Sequence, residues 1–408
     1  MRFAAAAVAL ALMTGTTLGT AGPALAQKQE KPKPPKLSKP VLAVVVEVQK
    51  LQTAGDHAGA LARLDAAKDV PRAEADDALI LAKLKLFSAQ TVKDNAKLEE
   101  GLTEAVEAPS ISIEEKTTFS KFVAGLAANR KDYQKAIKWF DFYLSQKPDD
   151  VDITVQAAST YAAMGARPQV VALLTKAIDT REAAGQKGDS SWYAFRAQAV
   201  MDGKLDDKLM PSLLSWVKAY PTPDNFNKAI EIVKQRGGNM DNNLLIDWGR
   251  LMWSAGAMAT SNNYLEYADA AIDRGMPNEA DTVLKEAIAK KLVDPAKPNI
   301  KEFVTIVTTK NAESKAGLAA LEKDAGTSPR LALVVADTLA NLGQNDKAVG
   351  YYKKLQGNAA VDQDTVNLRL GATLLKMGDK AGAKAAFDAV KPGPRAAIAQ
   401  FYGVIVGA

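Results

Sequence analysis

The sequence predicts an all-α protein, because three observations agree on helices arranged as antiparallel hairpins. The composition favours helix over strand, since leucine, alanine, lysine and aspartate are abundant and aromatic residues make up only 6% of the chain. Apolar residues recur with helical spacing from Val41 almost to the C-terminus. Glycines and prolines interrupt this pattern, as expected where short helices end at tight turns.

The clearest pair of hairpins spans residues 117–178. We expect helices over 117–129 and 134–146 in the first hairpin, and over 154–164 and 169–178 in the second. When the hairpins are overlaid, Ala124 falls on Ala158 and Ala136 falls on Val170, 34 residues apart in each case. Small residues at these positions allow two helices to approach to about 8–10 Å. An ordinary bundle whose alanines coincide by chance is the alternative.

A 34-residue period with small residues where helices cross resembles the tetratricopeptide repeat (TPR). The resemblance covers about residues 41–390 and is strongest at 117–178 and 328–390. It implies an all-α, right-handed superhelical solenoid of about nine or ten antiparallel hairpins, because one hairpin alone cannot bury its apolar face. The pattern departs from the family at 92–110, 221–260 and 296–325, where the number of repeats stays open. In the last of these segments we expect a shortened helix pair, 301–308 and 312–323.

The first 26 residues have the composition of a secretory leader. Arg2 is followed by an apolar core at 3–12, and Ala24 and Ala26 supply a small-residue cleavage site before Gln27. An uncleaved anchor is the alternative. Together with a solenoid, the leader favours an exported bacterial protein of the periplasm, with no transmembrane segment after signal cleavage.

The remaining chain divides into three parts on composition. Residues 27–40 form a Lys/Pro-rich stretch that we expect to be an extended, mobile linker. Residues 41–394 form the TPR-like array. Residues 395–408 are largely apolar, which predicts either a C-terminal capping helix or a tail that engages a partner.

Composition excludes several classes of site. The chain has no cysteine and a single histidine, His57, so thiol chemistry and histidine-based metal clusters are excluded within one chain. The net charge of +5 is too mild and too evenly spread to indicate nucleic acid. Phosphate-loop, nucleophile-elbow and zinc-protease motifs are absent. We therefore expect no cofactor and no metal. Three acidic clusters are interpreted as helix N-terminal residues: Asp76-Asp77, Asp149-Asp150-Asp152 and Asp206-Asp207.

One enzyme class needs a direct test. Some periplasmic lytic transglycosylases join a helical superhelix to a catalytic domain built around a Glu-Ser pair, and Glu313-Ser314 occurs here. The glycine-rich, Met-Gln-containing continuation of that family does not follow. We interpret Glu313 as an acid in the first turn of a helix and predict that the chain is not an enzyme.

Binding is the activity that the resemblance implies. In the repeat family the first helices of successive hairpins line the concave wall. Lys121 matches one position of the family's peptide-carboxylate clamp, but Gly125 stands where an asparagine is needed, so binding of a free peptide C-terminus is not expected. By matching hairpins, the candidate partner-binding residues are Lys121, Asp152, Val155, Ser159, Arg330, Leu333, Asp337, Leu368 and Lys376.

Aromatic residues are concentrated in residues 192–267, which hold ten of the 26 in the chain. They fill gaps between imperfect repeats or line a pocket. The sequence thus predicts a non-catalytic scaffold or adaptor in the cell envelope that binds a protein or peptide on its concave face. The alternatives are an accessory subunit docked by its ends to an envelope complex and, more remotely, a cell-wall hydrolase.

Overall fold

The computed structural model describes residues 34–238 and 240–407, and these ranges form 20 α-helices and no strand. Consecutive helices pair as hairpins, so the chain is an all-α helical solenoid, as the sequence predicts. The chain divides into two compact units, residues 1–184 (unit 1) and 185–408 (unit 2). The predicted leader and the first seven residues of the predicted linker lie outside the described residues.

The described part of unit 1 contains four hairpins. The residues where paired helices cross are fully buried in the third and fourth hairpins: Ala124 with Ala136, and Ala158 opposite Val170. Gly165, with a φ of +77°, ends the first helix of the fourth hairpin, a conformation that costs glycine little. The helices are α1 Lys39–Thr53, α2 His57–Asp65, α3 Asp77–Val92, α4 Asn95–Glu107, α5 Ile113–Asn129, α6 Tyr133–Gln146, α7 Val151–Ala163 and α8 Arg167–Ala183.

The end of the predicted linker is docked on unit 1 rather than extended. The backbone N–H groups of Lys36 and Ser38 donate to the carboxylates of Asp76 and Asp77, both at 2.9 Å. Leu37 packs against the core of the first hairpin. The expectation of a linker through residue 40 is therefore wrong at its C-terminal end, because Leu37 has a place to be buried and helix α1 begins at Lys39.

Unit 2 contains the remaining twelve helices. They are α9 Ser190–Asp202, α10 Asp206–Ala219, α11 Pro223–Arg236, α12 Asn242–Ser254, α13 Ser261–Asp273, α14 Pro277–Ala289, α15 Pro298–Asp324, α16 Pro329–Asn341, α17 Asn345–Leu355, α18 Gln363–Lys376, α19 Lys380–Asp388 and α20 Ala396–Gly407.

The predicted pair of short helices at 301–308 and 312–323 is a single 27-residue helix, α15. No glycine or proline separates the two predicted segments, and Gly317 lies inside the helix with nothing to force a turn. Glu313 is therefore an exposed residue in the middle of α15 and not an acid of a first turn.

The acidic clusters act at helix starts as expected. Asp150 caps α7 by accepting the N–H of Ile153 at 3.1 Å. Asp76 occupies the N-cap position of α3, and Asp206 and Asp207 lie in the first turn of α10. These positions suit carboxylates because the first N–H groups of a helix lack partners within the helix.

The C-terminal helix α20 is held among early and late helices of unit 2. Phe401 contacts Phe226 of α11 and Trp248 of α12, with ring centroids 6.4 and 6.3 Å apart. Tyr402 stacks on Phe387 of α19 at 4.7 Å. The helix also touches α10 and α18. Helices distant in sequence thus meet around α20.

Candidate functional site

The candidate residues of unit 1 lie on neighbouring first helices. Lys121 is on α5, whereas Asp152, Val155 and Ser159 are on α7, and the two helices touch one another. The side chain of Asp152 is 81% exposed, Ser159 is exposed, and Lys121 and Val155 are half-buried. We call the solvent-facing sides of α3, α5 and α7 the first-helix wall.

Lys121 stands beside a groove of about 430 Å³ at the start of α5. Its ammonium lies 5.3 Å from the ring centre of Phe122 and 5.9 Å from that of Tyr143. No carboxylate of the described residues forms an ion pair with it, although Ile113 and Glu114 also line the groove. The groove therefore combines an unpaired cation with apolar and aromatic surface.

Three of the second helices of unit 1, α2, α4 and α6, differ, because charges on them are paired across neighbouring helices, whereas Lys176 and Asp179 of α8 form no ion pair among the described residues. Lys97 of α4 donates to Asp65 of α2 at 2.7 Å. Lys138 of α6 reaches Glu107 of α4 at 3.4 Å. On the first-helix wall, by contrast, Asp152 has only a 3.9 Å contact with Arg181. Charges on the first-helix wall are thus freer to meet a partner, although Lys83 of α3 does pair with Glu115 of α5.

The candidate residues of unit 2 are placed less uniformly. Arg330 and Lys376 are exposed and Leu333 is half-buried. Asp337 and Leu368, however, are only 1% and 2% exposed, so the expectation that they line an open wall is wrong. The physical reason is that the faces of α16 and α18 that carry Asp337 and Leu368 pack against other helices of unit 2.

Asp337 belongs to a buried network of charges that joins four helices of unit 2. Arg250 of α12 forms a two-pronged pair with Glu279 of α14, with both bonds at 2.7 Å, and lies 3.2 Å from Asp337 of α16. Arg369 of α18 pairs with the same Asp337 and donates to Asp247 of α12 at 3.0 Å. Asp337 thus pairs with two arginines, whereas Glu279 pairs with Arg250 alone.

Hydroxyl and amide groups complete the network. Tyr352 donates to Asp337 at 2.6 Å, Asn341 donates to Glu279 at 2.6 Å, and Tyr267 also donates to Glu279. Arg395, just before α20, donates to Asp247 at 2.7 Å. Buried charges are tolerated only when paired and hydrogen-bonded in this way.

The pKa of Glu279 reflects this environment. Burial alone raises the pKa of a carboxyl group, but the facing guanidinium of Arg250 and the hydrogen bonds from Arg250 and Tyr267 lower it to about 2. Burial raises the pKa of Tyr267, and the charge of Glu279 adds to that shift. Glu279 is therefore a charged structural partner at neutral pH, with its oxygens already engaged.

The sequence interpretation missed Asp247, Arg250, Glu279, Arg369 and Arg395. One signal was present: Asp247 lies between Ile246 and Trp248, and Arg369 between Leu368 and Leu370. A charged residue inside an apolar run indicates a buried ion pair. What the sequence does not supply is the partner, which lies 122 positions away for Arg369 and Asp247.

The aromatic residues between 192 and 267 serve mainly as core. Tyr193, Trp248, Tyr264 and Tyr267 are among the largest fully buried side chains. Trp253 is different, since it is half-buried and lines a groove. Filling between imperfect repeats is thus their main role.

The part of the chain that the structure describes lacks two features, a metal-binding cluster and a membrane-spanning helix. It holds no group of three or more histidine, aspartate or glutamate side chains placed to bind a metal ion. None of its helices combines the length and the apolar character needed to cross a membrane. His57 begins α2 and packs edge-on against Phe87, with ring centroids 5.3 Å apart.

Comparison with known proteins finds likeness at the level of structure. No family model matches the chain, and no curated protein matches it. Similar solved structures include a tetratricopeptide repeat protein from Parabacteroides merdae, at 14% identity over 66% of this chain and 100% of that one, with a TM-score of 0.27. The C-terminal part of a TPR repeat-containing protein from Cytophaga hutchinsonii has 16% identity over 68% and 97%, with a TM-score of 0.27.

A third similar structure is that of Naa15/Naa10 bound to HypK-THB. It has 13% identity over 88% of this chain and 63% of that one, with a TM-score of 0.38. The description of this chain as TPR-like rests on its own hairpins, with small residues buried where paired helices cross.

Proposed function

We propose that the chain is a non-catalytic scaffold that binds a protein partner along the first-helix wall of unit 1. The observation that carries this proposal is the difference between the first-helix wall and the surface formed by α2, α4 and α6. Charges on α2, α4 and α6 are paired with one another, whereas Lys121 and Asp152 on the first-helix wall lack close partners among the described residues. An interface needs such complementary groups around an apolar centre, which Phe122 and Val155 supply here.

Unit 2 supports a division of labour within the chain. Its buried network and α20 occupy the side of α12, α16 and α18 that an open solenoid leaves free. Asp337 and Leu368 are therefore unavailable to a partner in this state. Partner binding on first helices is proposed for unit 1, where those helices remain solvent-facing.

The test is capture of partners from envelope extracts with the full mature chain as bait. Lys121→Glu reverses the charge of the unpaired cation on the first-helix wall. The amount of captured partner should fall at least about tenfold, because the new carboxylate repels the partner group that Lys121 attracts, and this like-charge contact opposes binding by more than about 1.4 kcal/mol. The matched control is Lys176→Glu, which changes an exposed lysine on the second helix α8. Equal capture by both variants contradicts the proposal.

A second candidate, an accessory subunit docked by its end, is favoured by one observation. Leu42 and Val46 lie one turn apart on α1, the first helix that the structure describes, and are 48% and 57% exposed. An exposed apolar pair on this helix suits an end-on interface. Val46→Glu should abolish capture if the end is the docking surface and leave it unchanged if the first-helix wall is.

Export to the cell envelope is part of the same proposal. Its support is the leader-like composition of residues 1–26, with small residues at Ala24 and Ala26. Mass spectrometry of protein recovered from the periplasm should find Gln27 at the N-terminus. Protein that begins at Met1 in the membrane fraction contradicts a cleaved leader.

A further inference from the structure

Unit 2 has a groove where the C-terminal ends of α12 and α18 meet α20. It is lined by Trp253, Ser254, Ala372, Leu375, Lys376 and Ile405, and its volume is about 350 Å³. Sites for small molecules have volumes of about 300–1,000 Å³ and are mostly apolar, with a few polar groups that fix orientation. The groove fits this description in size and composition.

Lys376 is the surplus cation beside this groove. In the buried network below it, the carboxylates of Asp247, Glu279 and Asp337 are matched by three guanidinium groups. Lys376 forms no ion pair with any carboxylate of the described residues, and its ammonium lies 5.8 Å from the ring centre of Trp253. It therefore lacks a counter-ion.

The surroundings of Lys376 favour the binding of an anion beside its ammonium group. The residue retains considerable exposed surface, yet desolvation of its ammonium lowers its pKa, and the negative charges of Glu279 and Asp337 only partly oppose that shift. Neighbouring Arg250 lowers the pKa further. An anion at Lys376 would relieve both effects, because it stabilises the charged form of the lysine.

The inner end of the groove limits what reaches the network. A smaller space of about 20 Å³ lies beneath Trp253 and Lys376, bordered by Arg250, Asn341 and Tyr352. This is room for about one water molecule, so a single oxygen atom fits but a hydrocarbon chain does not. The polar end of a ligand thus belongs at Lys376, and the rest of the ligand must lie outward.

The outer part of the groove is apolar. Ile405 of α20 and Leu375 of α18 are half-buried, in contrast to the fully buried Phe401 and Tyr402 one turn earlier in α20. Covering such apolar surface removes it from water and favours binding of an aliphatic chain.

We propose that this groove binds a small amphiphilic carboxylate, with its carboxylate at Lys376 and its aliphatic chain against Trp253, Leu375 and Ile405. The site differs from the first-helix wall of unit 1 in both location and ligand class. The protein would then carry a small-molecule site in one unit and a protein-binding surface in the other.

The experiment is equilibrium binding of octanoate to the full mature chain, followed by calorimetry or by tryptophan fluorescence. Octylammonium, with the same chain and the opposite charge, is the ligand control. We expect saturable binding of octanoate at one site and at least about tenfold weaker binding of octylammonium. No binding of octanoate, or equal binding of the two, overturns the proposal.

Variants assign the binding to the groove. Lys376→Met keeps the length of the side chain and should weaken octanoate binding about tenfold or more, whereas Lys376→Arg should stay within a few fold of the parent chain. The matched control is Lys353→Met, which changes an exposed lysine of α17 outside the groove. Unchanged affinity in Lys376→Met, in a variant that melts like the parent, overturns the assignment.

Discussion

Asp247 and Arg369 lie 122 positions apart in sequence, and yet the carboxylate of Asp247 accepts a hydrogen bond from Nε of Arg369 at 3.0 Å. Both residues are at least 97% buried. The second oxygen of Asp247 accepts from Arg395, next to the C-terminal helix α20. One carboxylate on α12 therefore connects an early helix of unit 2 to two late elements.

This relationship predicts that Asp247→Asn destabilises unit 2 strongly. The change removes the charge that two buried guanidinium groups share, and breaking one side of a buried pair typically costs about 3–5 kcal/mol. Asp224→Asn is the control, because Asp224 forms an exposed pair with Lys228 and such pairs contribute about 0–1 kcal/mol. Urea unfolding of both full-length variants measures the difference. A loss below about 1 kcal/mol for Asp247→Asn would mean that the network is not important for stability.

The pKa of Glu279 predicts loss of stability in acid. Its folded pKa of about 2 lies below its ordinary value of 4.5, so its charged form favours the folded state. That contribution is fully present above about pH 4.5 and is lost as the pH falls through 2. The free energy of unfolding should therefore decline over this range, and less steeply in Glu279→Gln. Parallel pH profiles for the parent and the variant would contradict this role.

The helix crossing of the third hairpin predicts a local overpacking effect. Ala136 is fully buried on α6 against α5, so Ala136→Leu should cost about 1–3 kcal/mol. Ala128 of α5 is an unsuitable control, because it is half-buried against the same core. Ala172→Leu on the exposed side of α8 is the control and should change stability by about 0.5 kcal/mol or less.

Hydrogen exchange distinguishes the two alanine variants by location. Because stability in a solenoid is a sum of local and nearest-neighbour contributions, Ala136→Leu should increase exchange mainly in α5, α6 and the adjoining helices of unit 1. Unaltered protection there, or greater damage from Ala172→Leu, would show that the crossing is assigned to the wrong residues.

Two helical glycines predict opposite effects of the same substitution. A Cβ at Gly371 of α18 would lie 2.6 Å from the ring of Phe387, which itself stacks on Tyr402 of α20. Gly371→Ala should therefore destabilise unit 2 by about 1–3 kcal/mol. Gly350 of α17 has no neighbouring atom within 4 Å, so Gly350→Ala should be stabilising by about 0.5–1 kcal/mol. Thermal unfolding of both variants tests the pair, and the same sign for both would contradict the packing described for α18.

Local features of the fold were predictable because they follow from neighbours in sequence. The period shared by Ala124 and Ala158 reports a helix crossing, and Asp150 caps a helix within three residues of itself. Neither requires knowledge of distant helices. The same reasoning failed for α15, since the absence of a helix breaker between 308 and 312 outweighs the expectation of a repeat.

The burial of the side of α12, α16 and α18 that packs around the charge network and α20 was not predictable, because it depends on contacts between helices distant in sequence. The helical spacing that placed Asp337 and Leu368 on a wall is correct for an open solenoid. It carries no information on whether α12, α16, α18 and α20 meet. The ion pairs that join them link residues 32 to 148 positions apart, and a single sequence does not indicate which positions pair.

The central claim is that a protein partner contacts the first-helix wall of unit 1, and site-specific photo-crosslinking tests it most directly. A photoreactive amino acid is placed at Ser159 on α7 or, as the control, at Ala172 on the exposed side of α8. Cells that export each full-length variant are irradiated, and the covalent adducts are identified by mass spectrometry. We expect a discrete protein adduct from position 159 and none from position 172. An adduct from position 172 alone, or equal adducts from both, would contradict binding through the first-helix wall.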